Sequence, residues 1–128
     1  MPGLRFPCNR SIAAVLLLWS LFLGGSLPAA AADMLTAEQI RAAIAGNTVQ
    51  GSMEGSGAYA EFYLADGTIK GKDYTGVWSV EGDAMCFQYG ADPKSCWQVA
   101  GEGDQVQWIK DGKVEGTGTV VAGNPNNF

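Results

Sequence analysis

Short stretches of alternating apolar and polar residues, separated by glycine-containing turns, fill most of the chain from residue 47 to residue 121. Alternation with a period of two is typical of β-strands that bury one face, and links this short leave no room for crossover helices. The sequence therefore predicts a mainly β fold, an eight-stranded antiparallel meander that forms a small barrel or a curled sheet. The predicted strands are 48–53, 58–64, 68–71, 74–80, 84–89, 95–100, 105–110 and 113–121.

Two of the turns carry an Asp-Gly pair, Asp66-Gly67 and Asp111-Gly112. This pair favours a two-residue type I′ hairpin turn, because both central positions of that turn need a positive φ. The residue pairs that these turns predict across the strands are Ala65 with Thr68, Leu64 with Ile69, Glu61 with Lys72, and Ile109 with Val114.

Cys86 and Cys96 lie ten residues apart with an Ala-Asp-Pro turn between them, which predicts a hairpin clamped by its own disulfide. The chain contains no histidine, so imidazole zinc sites and catalytic triads that need histidine are excluded. We expect no metal, no cofactor and no catalytic residue. A disulfide that closes so short a loop stabilises a fold by about 2–3 kcal/mol in the chain-entropy treatment.

The hairpin also predicts the centre of the core, because side chains two residues apart on a strand share one face. If Val80 pairs with Asp83, then Trp78 faces Met85 and the ring of Phe87 lies over Gly76. The same face gives a candidate core or ligand cavity, which consists of Trp78, Met85, Phe87, Trp97 and Trp108.

Residues 1–32 have the pattern of a cleaved signal peptide. Arg5 and Arg10 precede an apolar run at 12–23, and an alanine-rich segment ends in a cleavage site after Ala32. The run is shorter than the ~20 residues that span a bilayer, so we expect no stable membrane span in the mature, periplasmic or secreted form. Loss of the two arginines leaves six basic and thirteen acidic residues, a net charge of −7, which disfavours nucleic acid as a partner.

Residues 33–46 predict one short N-terminal helix. Thr36 and Gln39 have the spacing of a capping box, and Gly46 marks the helix end. Ile40 and Ile44 lie on one face, so the helix is expected to dock on the sheet or to plug a barrel end. The β-meander then occupies 47–121, and 122–128 form a polar tail.

Tyr59, Glu61 and Tyr63 alternate with Phe62 and Leu64, so the predicted strand has an apolar face and a face of amphipathic aromatics. Tyrosine supplies contact area together with a polar group, which favours interfaces. Tyr59, Glu61 and Tyr63 are therefore a candidate partner surface, although the same residues are also compatible with an ordinary barrel interior.

The function that these features favour is a non-catalytic exported β-domain that binds a macromolecular partner, an unknown protein or envelope component, as an inhibitor or accessory protein. A calycin-like carrier of a small apolar ligand is the alternative. A small hydrolase is the third hypothesis, because the acidic residues offer pairs of carboxylates.

The motif Gly76-Val77-Trp78, followed by the disulfide hairpin, resembles the Gly-x-Trp of periplasmic metalloprotease inhibitors and other lipocalin-like domains. The overall layout, from the signal peptide through the 35–40 helix start to the cysteine pair, resembles small exported Gram-negative bacterial proteins of a domain-of-unknown-function type. The resemblance implies a small β-barrel and carries no activity with it.

Overall fold

The chain forms a closed eight-stranded antiparallel barrel with one additional strand and one helix, as a computed structural model shows for residues 32–128. Apart from Ala32, the predicted signal peptide lies outside these residues. The elements are β1 (Asp33–Met34), α1 (Ala37–Ile44), β2 (Asn47–Met53), β3 (Gly57–Tyr63), β4 (Thr68–Gly71), β5 (Tyr74–Glu81), β6 (Ala84–Gln88), β7 (Ser95–Glu102), β8 (Gln105–Lys110) and β9 (Lys113–Ala122).

Each strand from β2 to β8 pairs with the next one along the chain, and β9 returns to pair with β2. The predicted meander is therefore confirmed. Of its two predicted forms, a small barrel and a curled sheet, the structure has the barrel. Closure removes the free sheet edges that would otherwise attract other chains. The strand β1 was not predicted; Asp33 and Met34 pair with Gly101 and Ala100 of β7, beyond the point where β6 ends its pairing.

The predicted disulfide hairpin is confirmed. Cys86 of β6 faces Cys96 of β7 and the two form a disulfide. On the opposite face of the same strands Met85 pairs with Trp97. The Asp111-Gly112 turn is also confirmed, with a positive φ at both residues.

Two predicted registers were wrong. Trp78 faces Phe87 instead of Met85, and Tyr89 instead of Phe87 lies over Gly76. This error of two residues leaves every side chain on its predicted face, since alternation repeats every second residue. The turn begins later than expected, because Glu81 and Ala84 pair across Gly82-Asp83.

The second error is of one residue and has larger consequences. In the β3–β4 hairpin Tyr63 faces Ile69 and Phe62 faces Lys70, so neither predicted pair, Leu64 with Ile69 or Glu61 with Lys72, forms. The Leu64 amide donates to the Thr68 carbonyl at 2.9 Å, which leaves three residues in the turn instead of two. A slip of one residue exchanges the two faces of a strand.

The helix begins as predicted. The Thr36 side chain accepts from the Gln39 amide, and the Gln39 side chain accepts from the Thr36 amide. The Ala37 amide also donates to the Asp83 carboxylate at 2.9 Å. Because α1 contacts β2 on one side of the barrel and β5 and β6 on the other, it covers the end of the barrel where β5 finishes. We call this the helix end, and the opposite end, where β3 and β5 begin, the far end.

The core fills the barrel beneath the helix. Ile40 and Ile44 of α1 are fully buried and join the side chains that point inward from the strands. The other members of this core are Val49, Tyr63, Ile69, Trp78, Met85, Phe87, Val99, Val106 and Trp108. The tail is tied to the barrel, since the Thr48 hydroxyl donates to the Gly123 carbonyl at 2.7 Å.

Candidate functional site

The predicted partner surface lies inside the barrel, which corrects the predicted outward orientation of its side chains. Tyr63 and Glu61 are 1% and 7% exposed, and Tyr59 is half-buried beside them. The physical reason is the three-residue β3–β4 turn, which sets Tyr63 opposite the buried Ile69 and turns the Tyr59, Glu61 and Tyr63 face inward. The structure therefore places a carboxylate within an aromatic interior.

Three tyrosine hydroxyls donate to the carboxylate of Glu61. Tyr63 donates to Oε2 at 2.5 Å, and Tyr74 donates to Oε1 at 2.8 Å. Tyr89 lies 2.8 Å from Oε1 and 3.0 Å from Oε2. We call Glu61, Tyr63, Tyr74 and Tyr89 the tyrosine–glutamate cluster. Its hydrogen bonds satisfy a buried carboxylate that would otherwise carry a large desolvation cost.

Three strands and two glycines position the cluster. Tyr63 follows Glu61 by two residues on β3 and shares its face, whereas Tyr74 and Tyr89 reach the carboxylate from β5 and from just after β6. Gly71 and Gly76 leave the room that the rings of Tyr74 and Tyr89 occupy, because a side chain at either glycine would collide with the corresponding ring. The rings of Tyr74 and Tyr89 meet edge to face at 6.0 Å between centroids.

The fourth tyrosine of the chain lies next to the cluster without bonding to Glu61. The Tyr59 hydroxyl accepts from the Trp108 indole at 2.8 Å and donates to the Thr117 carbonyl at 3.0 Å. Nearby, the Trp97 indole donates to Glu115 at 3.0 Å, and the Lys110 ammonium lies 4.8 Å from the centre of the Trp97 ring. The two indole groups, the Tyr59 hydroxyl and the Glu115 carboxylate therefore all have partners at the far end.

Burial and the nearby carboxylate keep the tyrosine hydroxyls protonated. Burial is the main cause that raises the pKa of Tyr59 to about 12, and the charge of Glu61 adds to it against the opposing hydrogen bond from Trp108. Burial and then Glu61 raise the pKa of Tyr63, Tyr74 and Tyr89 above the usual range for tyrosine. All three cluster tyrosines thus remain hydrogen-bond donors at neutral pH.

The Glu61 carboxylate has no cationic partner among residues 32–128. The ion pairs within 4.0 Å in this part of the chain are Lys94 with Glu81 and Lys113 with Glu54, and both lie on the surface. Neutral hydroxyls stabilise the carboxylate by hydrogen bonding and leave its net charge in place.

The predicted core or ligand cavity forms part of the packed interior. Phe87 meets the rings of Trp97 and Trp108 edge-on at 5.6 Å and 5.4 Å, and Tyr63 contacts Trp78 in the same way at 6.1 Å. Trp78, Met85, Phe87 and Trp108 are buried, and Trp97 is partly buried against them. The rings fill space against one another, and neither of the two surface concavities described below includes these residues.

One concavity is a groove at the helix end, between α1 and the ends of β7, β8 and β9. Its floor is apolar and its rim carries amide and carboxylate groups. The lining residues include Leu35, Ala42, Ala43, Val106 and Val120, with Gln39, Asn47 and Asp104 at the edges. The second concavity is a shallow depression at the far end beside Tyr74 and Phe128.

Among the described residues, one group has the spacing of metal ligands. Glu81 lies beside Cys86 and Cys96, but a disulfide offers no thiolate, so the three side chains do not form a metal site as they stand.

Tyr74 and Tyr89 were not predicted as partners of Glu61, and the groove was not predicted either. The available signal was the row Tyr59, Glu61 and Tyr63, in which a carboxylate separates two tyrosines on one face. Such a row is compatible with an exposed face and with a buried face of the strand, and the length of the following turn decides which of the two forms.

No protein family, curated protein or solved structure matches this chain. No helix among residues 32–128 combines the length and the apolar character needed to cross a membrane.

Proposed function

We propose that the protein is a non-catalytic exported binding domain that docks a basic segment of a macromolecular partner at its helix end. The observation that carries this proposal is the segregation of charge between the two ends of the barrel. Leaving aside the Glu81–Lys94 ion pair, the helix end exposes six carboxylates and one guanidinium. The carboxylates belong to Asp33, Glu38, Asp66, Asp83, Glu102 and Asp104, and the guanidinium to Arg41.

The far end lacks this imbalance. Outside the same ion pair, its turns and the adjoining strand ends carry five acidic and four basic residues that are not buried, so the charges nearly cancel. The acidic residues are Glu54, Asp73, Asp92, Asp111 and Glu115, and the basic residues are Lys70, Lys72, Lys110 and Lys113. The negative field of the mature chain is therefore concentrated at the helix end, where it attracts cationic groups.

The apolar groove lies within this acidic end. Asp104 stands on the groove rim, and Glu102 and Glu38 lie one residue from lining residues Gly101 and Gln39. An apolar floor with a carboxylate rim complements a segment that presents apolar side chains on one face and lysine or arginine around them. The same charge disfavours nucleic acid and anionic lipid surfaces.

Export is supported by two independent observations. The first 32 residues have the signal-peptide pattern, and the disulfide between Cys86 and Cys96 is typical of proteins in oxidising compartments. The partner is accordingly expected among basic proteins of the periplasm, the envelope or the medium.

The test uses the mature chain with an amphipathic peptide of alternating lysine and leucine patches, and a second peptide in which glutamate replaces each lysine. We expect the lysine peptide alone to shift the amide NMR signals of the groove residues, and its affinity to fall as salt rises. Glu102→Lys with Asp104→Lys should weaken binding roughly tenfold or more, as interfacial charge reversal does.

The matched control makes the same change in net charge at the far end. Glu54→Lys with Asp92→Lys should leave affinity for the lysine peptide within about twofold, because the Debye length of ~8 Å screens distant surface charges. Equal weakening by the two double variants, or signal shifts at the far end, would refute the proposed docking surface. A photo-crosslinker at Ala42 can then identify the natural partner in an envelope extract.

A further inference from the structure

Glu61 is a buried carboxylate whose partners are all neutral. Three tyrosine hydroxyls hold it, and no lysine or arginine of residues 32–128 lies within 4.0 Å of it. A hydrogen bond from a cation to a carboxylate is stronger than one from a neutral hydroxyl, especially away from water. A cation that reached Glu61 would therefore make a stronger hydrogen bond than the hydroxyl it replaces, and it would give up its own hydration in exchange.

Tyr74 differs from the other two tyrosines in its accessibility. It is 41% exposed, whereas Tyr63 is 1% exposed and Tyr89 is half-buried. The Tyr74 ring occupies the place of the missing side chain of Gly71. Rotation of Tyr74 towards solvent would open a ring-sized slot with Glu61 Oε1 at its inner end and Tyr89 along its side.

A surface depression leads to this slot from outside. Its lining consists of Lys70, Gly71, Asp73, Tyr74, Thr75 and Phe128. Tyr74 therefore separates the depression from the carboxylate. The Asp73 carboxylate favours entry of a cation, and the Lys70 ammonium opposes it.

We propose that the slot under Tyr74 is a binding site for a small organic cation with N–H donors, such as an aryl or alkyl primary ammonium, which displaces the Tyr74 hydroxyl from Glu61. Tyr74 acts as the resident occupant, and its ring marks the size and shape of the ligand. The site lies at the far end and is independent of the docking surface proposed for the helix end.

Competition with Tyr74 sets the affinity. A ligand that needs Tyr74 displaced binds with its intrinsic affinity reduced by the fraction of molecules in which the slot is open. Removal of the Tyr74 side chain should therefore raise affinity, whereas loss of the Glu61 charge should abolish the preference for a cation.

The experiment compares benzylammonium with benzyl alcohol, which has nearly the same shape and no charge. Binding to the mature chain at neutral pH is followed by NMR and by calorimetry. We expect benzylammonium to bind Tyr74→Ala roughly tenfold to a hundredfold more tightly than benzyl alcohol does, because a charged donor then reaches the carboxylate. The wild type should bind benzylammonium more weakly than Tyr74→Ala does.

Glu61→Gln combined with Tyr74→Ala should bind the two probes equally, since the carboxylate is gone while the slot remains. Glu115→Gln with Tyr74→Ala is the matched control, because it removes another far-end carboxylate and should preserve the preference. Equal binding of the two probes by Tyr74→Ala, or a preference that survives Glu61→Gln, would overturn the proposal.

Tyr74→Phe covers the case in which Tyr74→Ala does not fold. It keeps the ring over Gly71 and removes only the competing hydroxyl, so benzylammonium should bind it more tightly than it binds the wild type. Unchanged or weaker binding would count against the site.

Discussion

The ring of Tyr89 occupies the space that a side chain at position 76 would need. A Cβ atom on Gly76 would lie 2.6 Å from Tyr89 Cδ1 and 3.0 Å from the Gln88 carbonyl oxygen. Tyr89 in turn donates its hydroxyl to Glu61. Because Gly76 of β5 has no side chain, Tyr89, which follows β6, can reach the Glu61 carboxylate on β3.

Gly76→Ala should therefore destabilise the protein and displace Tyr89 from Glu61. The expected loss is about 1–3 kcal/mol of the free energy of unfolding, the usual cost of overpacking a filled interior. Urea unfolding measures the loss. Ser79→Ala, on the exposed face of the same strand, is the control and should stay within about 0.5 kcal/mol of the wild type. A Gly76→Ala variant as stable as that control would contradict the close packing of Tyr89.

The tyrosines make stability sensitive to alkaline pH. Below pH 10 each tyrosine is protonated in both the folded and the unfolded chain, so the raised pKa values change nothing there. Above pH 10 the tyrosines of the unfolded chain lose their hydroxyl protons. In the folded chain Tyr59 keeps its proton up to about pH 12, and the cluster tyrosines keep theirs to higher pH. Ionisation therefore favours unfolding, and the free energy of unfolding should fall from pH 10 upwards.

The absorbance of tyrosinate measures this directly. In urea, all four tyrosines should titrate together near pH 10. In the native protein the same absorbance should rise later and together with the loss of near-ultraviolet circular dichroism. If the absorbance of the native protein rises over the same pH range as the absorbance in urea, the fold does not keep the tyrosine hydroxyls protonated.

Features that depend on local sequence were predictable. The capping box of Thr36 and Gln39, the hairpin that brings Cys86 to Cys96 and the eight strands each follow from residues close together in the chain. The strand β1 has only two residues and pairs with β7 far along the chain. It is too short to show the alternation of apolar and polar residues from which a strand is predicted. Closure of the barrel by β2 and β9 is likewise a contact between distant segments.

The site was not predictable from the sequence, because it depends on the number of residues in the β3–β4 turn. Asp111-Gly112 forms a two-residue turn with a positive φ at both positions. In the Asp66-Gly67 turn Gly67 has a positive φ and Asp66 does not, and the Asp66 carboxylate accepts from the Thr68 amide at 2.9 Å. The same dipeptide thus supports two turn lengths, and the faces of the preceding strand differ between them.

Deletion of Ala65 tests this dependence. A turn shortened to two residues would shift β3 by one position against β4 and turn the face of Glu61 and Tyr63 away from the interior. We expect loss of the native near-ultraviolet circular dichroism, because the carboxylate and the core rings cannot both keep their partners. Ala65→Gly keeps the turn length and should fold with a loss of about 1 kcal/mol or less. A folded deletion variant with Tyr63 still protected from ionisation would contradict this account of the register.

The disulfide should contribute stability without deciding the fold. Cys86 and Cys96 enclose a short loop, and their strands are also held by β5 on one side and by β8 on the other. Cys86→Ala with Cys96→Ala should lower the free energy of unfolding by about 2–3 kcal/mol, the entropy that the cross-link removes from the unfolded chain. Alanine is preferred to serine because Cys86 is buried, and an unpaired hydroxyl there would add its own cost.

Urea unfolding of the wild type under reducing conditions should give the same value as the double variant, with the barrel still formed in both. A loss below about 0.5 kcal/mol would mean that the unfolded hairpin is already compact, and complete unfolding would mean that strand pairing on both sides does not suffice to hold β6 and β7.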